Sequence, residues 1–209
     1  MSELRTEKGF DRIVFFSDAV VAIAISLLIL PVVDVFADDQ GRAIGEIFTD
    51  EAGSLLAFVL SFVVIARFWL AHHQIFERVH SYTTPMLVAN MFWLLTIVFV
   101  PLPTQLAGIN DDNDKLVYAI YIGTLFIVSV ALVLLAYTMQ IAPETHVDPA
   151  NPPRALEGVS ITALMIVALI LAITVPGLGM WSMFVLFLTA PIERWRHARV
   201  SRPAGRPLP

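Results

Sequence analysis

The 209-residue sequence contains no cysteine and few charged residues. The absence of cysteine excludes disulfides and metal sites built from thiolates. Charged residues make up 15% of the chain, whereas about a quarter of the residues in soluble domains are charged. The sequence also lacks a phosphate-binding glycine loop, a nucleophile paired with a base, and a metal-ligating cluster. These absences argue against an enzyme.

Long apolar runs dominate the sequence, since 57% of the residues are hydrophobic. A membrane-spanning helix needs about 20 mostly apolar residues. The unbroken runs lack the period-2 alternation of a barrel, so they predict an all-α membrane protein. We predict a six-helix transmembrane domain over residues 1–198 and a basic, proline-rich cytoplasmic tail over 199–209. The predicted spans are 11–35, 52–77, 84–108, 114–141, 156–175 and 178–195.

Basic residues between the predicted spans fall mostly on one side of the membrane. Ten of the thirteen Lys and Arg residues lie on the side that holds both termini, and only Arg42 and Lys115 lie on the other. An excess of basic residues marks the cytoplasmic side. We therefore expect a multi-pass protein of the plasma membrane with both termini in the cytoplasm. The outer loops are acidic, which would concentrate cations there.

A few polar side chains lie within the first two spans. Asp18 lies about seven residues into its span, or ~10 Å. Trp69 and His73 share one face of the second span at a similar depth, and Arg67 lies nearby. A carboxylate inside the membrane needs such a partner. The pattern fits a packing network or a proton relay between Asp18 and His73, whereas the spacing of the histidines is poor for a metal site.

One face of the first span carries a stripe of aliphatic residues and a single hydroxyl. At 100° per residue, Ile23, Ser26, Leu27 and Leu30 fall within one arc, and Asp18 lies on the opposite side. Such a stripe can face lipid in a monomer, or it can line the axis of a symmetric oligomer. Periodicity does not decide between these two arrangements.

The segment RIVFFSDAVVAIAISLLIL, from Arg12 to Leu30, resembles the signature of the bacterial branch of the transmembrane protein 175 potassium channels. The segment FWLAHHQIF, residues 68–76, is similar to the matching part of that family's second helix. The resemblance implies a homotetramer in membrane lipid, with the first helix lining a central pore and no pore loop. It implies potassium as the permeant ion, no cofactor and no nucleic-acid partner.

The resemblance also implies roles for individual residues of this chain. It places a hydrophobic constriction at Ile23, with Leu27 and Leu30 along the same stripe and Ser26 where the family usually has Thr. It further implies a helix-packing network, which comprises Arg12, Phe16, Ser17, Asp18, Trp69 and His73. The chain is thus expected to be a potassium-permeable channel. The alternative is a proton-coupled secondary transporter that uses Asp18 and His73.

Overall fold

The computed structural model describes residues 7–38, 41, 43–109, 115–153, 155, 162–163 and 166–167. Apart from one short 3-10 turn and an isolated β-bridge, the regular structure in these ranges is α-helical. The helices are α1 (Glu7–Leu27), α2 (Leu30–Asp38), α3 (Ile44–Asp50), α4 (Ala52–Phe76), α5 (Thr84–Phe99), α6 (Pro101–Ile109) and α7 (Lys115–Gln140).

Four segments of the described chain are long and apolar enough to cross a membrane. They are Lys8–Val35, Ala52–Phe76, Thr84–Gly108 and Leu116–Gln140, close to the first four predicted spans. The predicted fifth span is described only at 162–163 and 166–167, and the predicted sixth lies outside the described residues. The all-helical membrane class is therefore observed, with four spans in the described part of the chain.

Proline divides two of these spans into two helices each. The first span turns at Leu28 and Ile29, and the third turns at Val100. Pro31 and Pro101 follow the turns, and proline has no N–H for the carbonyl four residues earlier. The backbone instead forms tighter bonds, from Leu28 N to Ile25 O and from Val100 N to Ile97 O. The sequence predicted continuous helices, and the missing N–H explains the difference.

The fourth span forms the centre of the described bundle, and the first span lies at its edge. Within the most apolar part of each span, 56% of the fourth is buried and only 22% of the first. Helix α7 packs against α5 and α6, whereas α1 packs against α4 and α5. The largest fully buried side chains include Phe68, Trp93, Tyr121, Leu125 and Leu135. The first span thus keeps a wide face that the other described residues do not cover.

Two loops are joined at the end of the bundle where α4 ends and α5 begins. Val79 and His146 form an antiparallel bridge. His80 N donates to Thr145 O at 2.9 Å, and Val147 N donates to Arg78 O at 3.0 Å. These bonds satisfy backbone groups that would otherwise need water. They tie the α4–α5 connection to the segment that follows α7.

Helices α4 and α6 touch at Gly108. A Cβ at this position would lie 2.9 Å from Ser54 Cα, which is backbone and cannot rotate away. We expect Gly108→Ala to lower the free energy of unfolding by about 1–3 kcal/mol, because the two helices must separate. Gly123→Ala is the matched control, since a Cβ on Gly123 meets nothing within 4 Å. Thermal unfolding in detergent checks this, and equal effects of both variants would contradict the close packing.

Candidate functional site

The buried side of α1 is fixed to α5 and α4 by a chain of hydrogen bonds. His72 Nε2 donates to Asn90 Oδ1 at 2.9 Å, and Asn90 Nδ2 donates to Ser17 Oγ at 2.9 Å. The Ser17 hydroxyl in turn donates to Ile13 O at 2.8 Å. All three side chains are buried. Every bond has one donor and one acceptor, so these hydrogen bonds satisfy polar groups that would be costly to leave unpaired in lipid.

The imidazole of His72 lies between two aromatic rings. Its centroid is 4.2 Å from that of Trp93 and 4.3 Å from that of Phe76, and both pairs are stacked. The stacked rings continue to α1, because Phe76 also stacks on Phe10 with ring centroids 5.8 Å apart. Such stacking adds to the energy of simple burial. The half of the bundle near the α4–α5 connection is therefore held by both hydrogen bonds and stacked rings.

Asp18 and Trp69 form a direct bond between α1 and α4. Trp69 Nε1 donates to Asp18 Oδ1 at 2.8 Å. The His73 ring stacks on the Trp69 ring at 5.6 Å, and its Nε2 lies 3.2 Å from Glu77 Oε1. His73 is thus close to Trp69 and paired with Glu77. The indole N–H bonds to one oxygen of the carboxylate, which lowers the cost of placing Asp18 within the span.

The aliphatic stripe runs along the first span, with Ile23, Ser26 and Leu27 on α1 and Leu30 at the start of α2, on the side that the other described residues leave uncovered. Ile23 is 61% exposed, and Ser26, Leu27 and Leu30 are exposed as well. The Ser26 hydroxyl donates to Ala22 O at 2.8 Å, so it still has lone pairs to offer outward. On the opposite side, Val21 and Ala24 are buried. One face of α1 is packed and the other is open.

Two residues that the sequence grouped with the packing network lie elsewhere. Phe16 is 52% exposed and precedes Ile23 by seven residues, so it belongs to the open face of α1. Arg12 is also exposed, one turn before Phe16. Of the predicted set, Ser17 is bonded to Asn90, Asp18 is bonded to Trp69, and His73 stacks on Trp69.

Sequence reasoning missed Asn90, and it considered His72 only as a poor metal ligand. Asn90 is the one amide in the apolar stretch MLVANMFWLLTIVFV of the third span, which was a usable signal. A lone amide inside a membrane helix must find a partner. His72 gave a weaker signal, because its neighbour His73, and not His72 itself, shares a helix face with Trp69.

A second cluster of hydroxyls joins α4, α6 and α7 and was also missed. Ser61 Oγ lies 2.7 Å from the Tyr121 hydroxyl and 2.9 Å from Thr104 Oγ1. Thr104 donates to Val100 O at 2.9 Å. Because each hydroxyl has one hydrogen, Ser61 must donate to Thr104, and Tyr121 must donate to Ser61. These hydroxyl hydrogen bonds fix α6 just beyond the turn at Val100.

The described residues by themselves define the class of protein as a helical membrane protein. They form a helical membrane protein whose first span is held rigidly from one side and presents an apolar stripe on the other. Among the residues that the structure describes, no group of three His, Asp or Glu side chains could hold a metal ion. A rigid spanning helix with an uncovered face is an arrangement suited to assembly or conduction.

Comparison with known proteins identifies the family. The family described as "Endosomal/lysosomal potassium channel TMEM175" matches residues 12–101. A potassium channel of Streptomyces collinus is 33% identical over 144 residues, which cover 66% of this chain and 68% of the relative. The chain belongs to the TMEM175 family. This confirms the resemblance drawn from Arg12–Leu30, and the family consists of ion channels rather than enzymes.

Two further relatives extend the comparison. The crystal structure of a Chamaesiphon minutus homologue of the lysosomal potassium-selective channel TMEM175 matches with a TM-score of 0.65 and 26% identity. The match covers 90% of this chain and 98% of that one. The endosomal/lysosomal proton channel TMEM175 of Gallus gallus is 35% identical over 106 residues, which cover 47% of this chain and 21% of that protein.

Proposed function

We propose that this chain forms a homotetrameric, potassium-permeable channel whose pore is lined by α1. The observation that carries the proposal is the open stripe of the first span, which stands opposite the hydrogen-bonded side chains of Ser17 and Asp18 in a member of a channel family. The fold supports it, because only 22% of the apolar part of the first span is buried within the protomer. A helix at the edge of a protomer must be covered by lipid or by another copy.

The proposed constriction is a ring of four Ile23 side chains around the tetramer axis. A ring of branched aliphatic side chains excludes water, and such rings gate by dewetting. Leu27 and Leu30 would form further rings along the same stripe, and Ser26 would supply a ring of hydroxyl oxygens between them. The bonds of Ser17 and Asp18 support this role, since they fix α1 from behind and leave the opposite face free.

Orientation and location belong to the same proposal. The excess of Lys and Arg beside both termini favours a cytoplasmic location for both. The acidic loops would then face outward and raise the local concentration of cations at the pore mouth. We place the protein in the plasma membrane, with potassium as the permeant ion and no cofactor.

The alternative is a proton-coupled transporter that uses Asp18 and His73. The reason to consider this alternative is that the Gallus gallus relative is named a proton channel. The contacts of the two side chains do not favour it. Asp18 accepts from an indole N–H, which does not exchange protons as an acid or base, and His73 is paired with Glu77. The two groups do not form a relay with each other in the described structure.

Ion flux from liposomes containing the purified protein tests the proposal. We expect fast potassium efflux that needs no proton gradient and that exceeds sodium efflux. Slow, saturable flux that follows an imposed proton gradient would overturn the channel. Protein-free liposomes are the negative control for leak. Liposomes with Ile23→Asn, which would place a ring of amides at the constriction, are the comparison with an altered constriction.

Asp18→Asn separates the packing role of this residue from a relay role. The amide oxygen of Asn can still accept from Trp69 Nε1, so we expect the tetramer and its potassium flux to persist. Asp18→Ala leaves the indole N–H without a partner and should destabilise the protein by about 1–3 kcal/mol. Flux per tetramer and thermal unfolding are measured for both variants. Loss of flux in an intact Asp18→Asn tetramer would support the transporter.

A further inference from the structure

A crevice of about 170 Å³ lies between α2, α4 and α6, behind the helix that we assign to the pore. It borders the turn at Leu28 and lies at the end of the bundle opposite the α4–α5 loop. The lining includes the apolar residues Leu28, Val32 and Phe58, which we call the apolar wall. It also includes Asp34, Ser54 and Gln105, which we call the polar wall. The crevice is separate from the stripe that contains Ile23.

The polar wall has more hydrogen-bond acceptors than donors. Ser54 is 9% exposed, and its Oγ lies 2.9 Å from Glu51 Oε2 and 3.1 Å from Gly108 O. One hydroxyl hydrogen thus serves two acceptors. The Thr104 hydroxyl, which also borders the crevice, already donates to Val100 O.

The charge of the described lining residues has a single sign. Asp34 contributes a carboxylate, and none of the lining residues that the structure describes is Lys, Arg or His. Gln105 supplies a side-chain amide. Acceptors without matching donors favour a ligand that brings several N–H groups and a positive charge.

We propose that the crevice binds a small organic ammonium ion. Its N–H groups would bond to the Asp34 carboxylate, Ser54 Oγ and Gly108 O, since an ammonium carries three donors and no acceptor. Its apolar body would pack against Val32 and Phe58. Small-molecule sites combine these elements, namely an apolar wall and a few convergent polar groups. An acyl chain of lipid is the competing occupant, and it would use the apolar wall alone.

The absence of cysteine allows a direct test of occupancy. Val35→Cys places a single thiol at the crevice, because Val35 is one of its lining residues. Val33→Cys is the matched control, since Val33 is two residues away, 51% exposed and not part of the lining. The purified full-length protein is alkylated in detergent with increasing benzylammonium, and the rate is compared with that in benzyl alcohol, a neutral analogue.

We expect benzylammonium to slow alkylation of Val35→Cys at least tenfold with saturation, and to leave Val33→Cys unchanged. Equal protection by benzyl alcohol would overturn the ammonium site and indicate an apolar site for lipid. No protection by either compound, or equal protection of both thiols, would also overturn it.

Substitution of the carboxylate gives a second measurement. Asp34→Asn in the Val35→Cys background should weaken protection by benzylammonium about tenfold, because the charge-assisted bond is lost. Glu46→Gln is the control, since Glu46 is an exposed carboxylate on α3 outside the lining. Unchanged protection in Asp34→Asn would contradict the assignment. These readouts need no ion flux, so they can fail while the proposed channel stands, and the reverse also holds.

Discussion

Ile23→Ala is expected to raise potassium flux per tetramer by on the order of tenfold and to bring the sodium and potassium rates closer together. In a tetramer the substitution removes four branched side chains from one ring at once. A barrier that falls by only ~1.4 kcal/mol speeds passage tenfold. Selectivity falls because a wider, wetter ring no longer requires ions to lose as much water. Efflux of each ion from liposomes, normalised to the amount of tetramer, measures both effects.

Ile25→Ala is the matched control for that result. It makes the same change two residues away, on a side chain that is half-buried and packs against the core of the protomer. We expect Ile25→Ala to lower thermal stability and to leave flux and selectivity unchanged. If Ile23→Ala leaves both quantities unchanged in an intact tetramer, Ile23 does not line the ion path. The oligomeric state is measured for every variant by light scattering.

Asn90→Ala is expected to cause the largest loss of stability among the polar substitutions. It removes the acceptor of His72 and the donor to Ser17 and leaves a cavity in a fully buried position. Unsatisfied buried groups cost about 1–3 kcal/mol each in water-soluble proteins. Hydrogen bonds between membrane helices average nearer 0.6 kcal/mol. We therefore expect a loss of about 2–4 kcal/mol, which includes the cavity.

A double-mutant cycle with Ser17→Ala tests whether this loss comes from the observed contact. If the Asn90–Ser17 bond stabilises the protein, the double variant should lose less than the sum of the two single variants. Thermal or denaturant unfolding of the purified protein supplies the four values. Exact additivity, or a loss below about 0.5 kcal/mol in Asn90→Ala, would contradict a structural role for the cluster. Tetramers that survive should conduct normally, because the cluster lies behind the proposed pore.

The sequence by itself determined the membrane class, the first four spans and the aliphatic stripe of the first span. These features depend on local hydrophobicity and on the helical repeat, which can be read along the chain. Depth also limited the partners of Asp18 to a few side chains of the second span, among them Trp69 and His73, because these residues lie at similar depths in neighbouring spans. The motif from Arg12 to Leu30 was specific enough to identify the family.

Only the tertiary structure decided which polar groups meet. Asn90 bonds to both His72 and Ser17 because α1 packs against both α4 and α5, and no periodicity within one helix reports on that packing. The same holds for Tyr121 of α7, whose hydroxyl bonds directly to Ser61 of α4. Apolar surfaces pair with many partners at similar energy, whereas a hydrogen bond requires one distance and one direction. The partners therefore depend on the three-dimensional arrangement of the helices, which the sequence pattern does not contain.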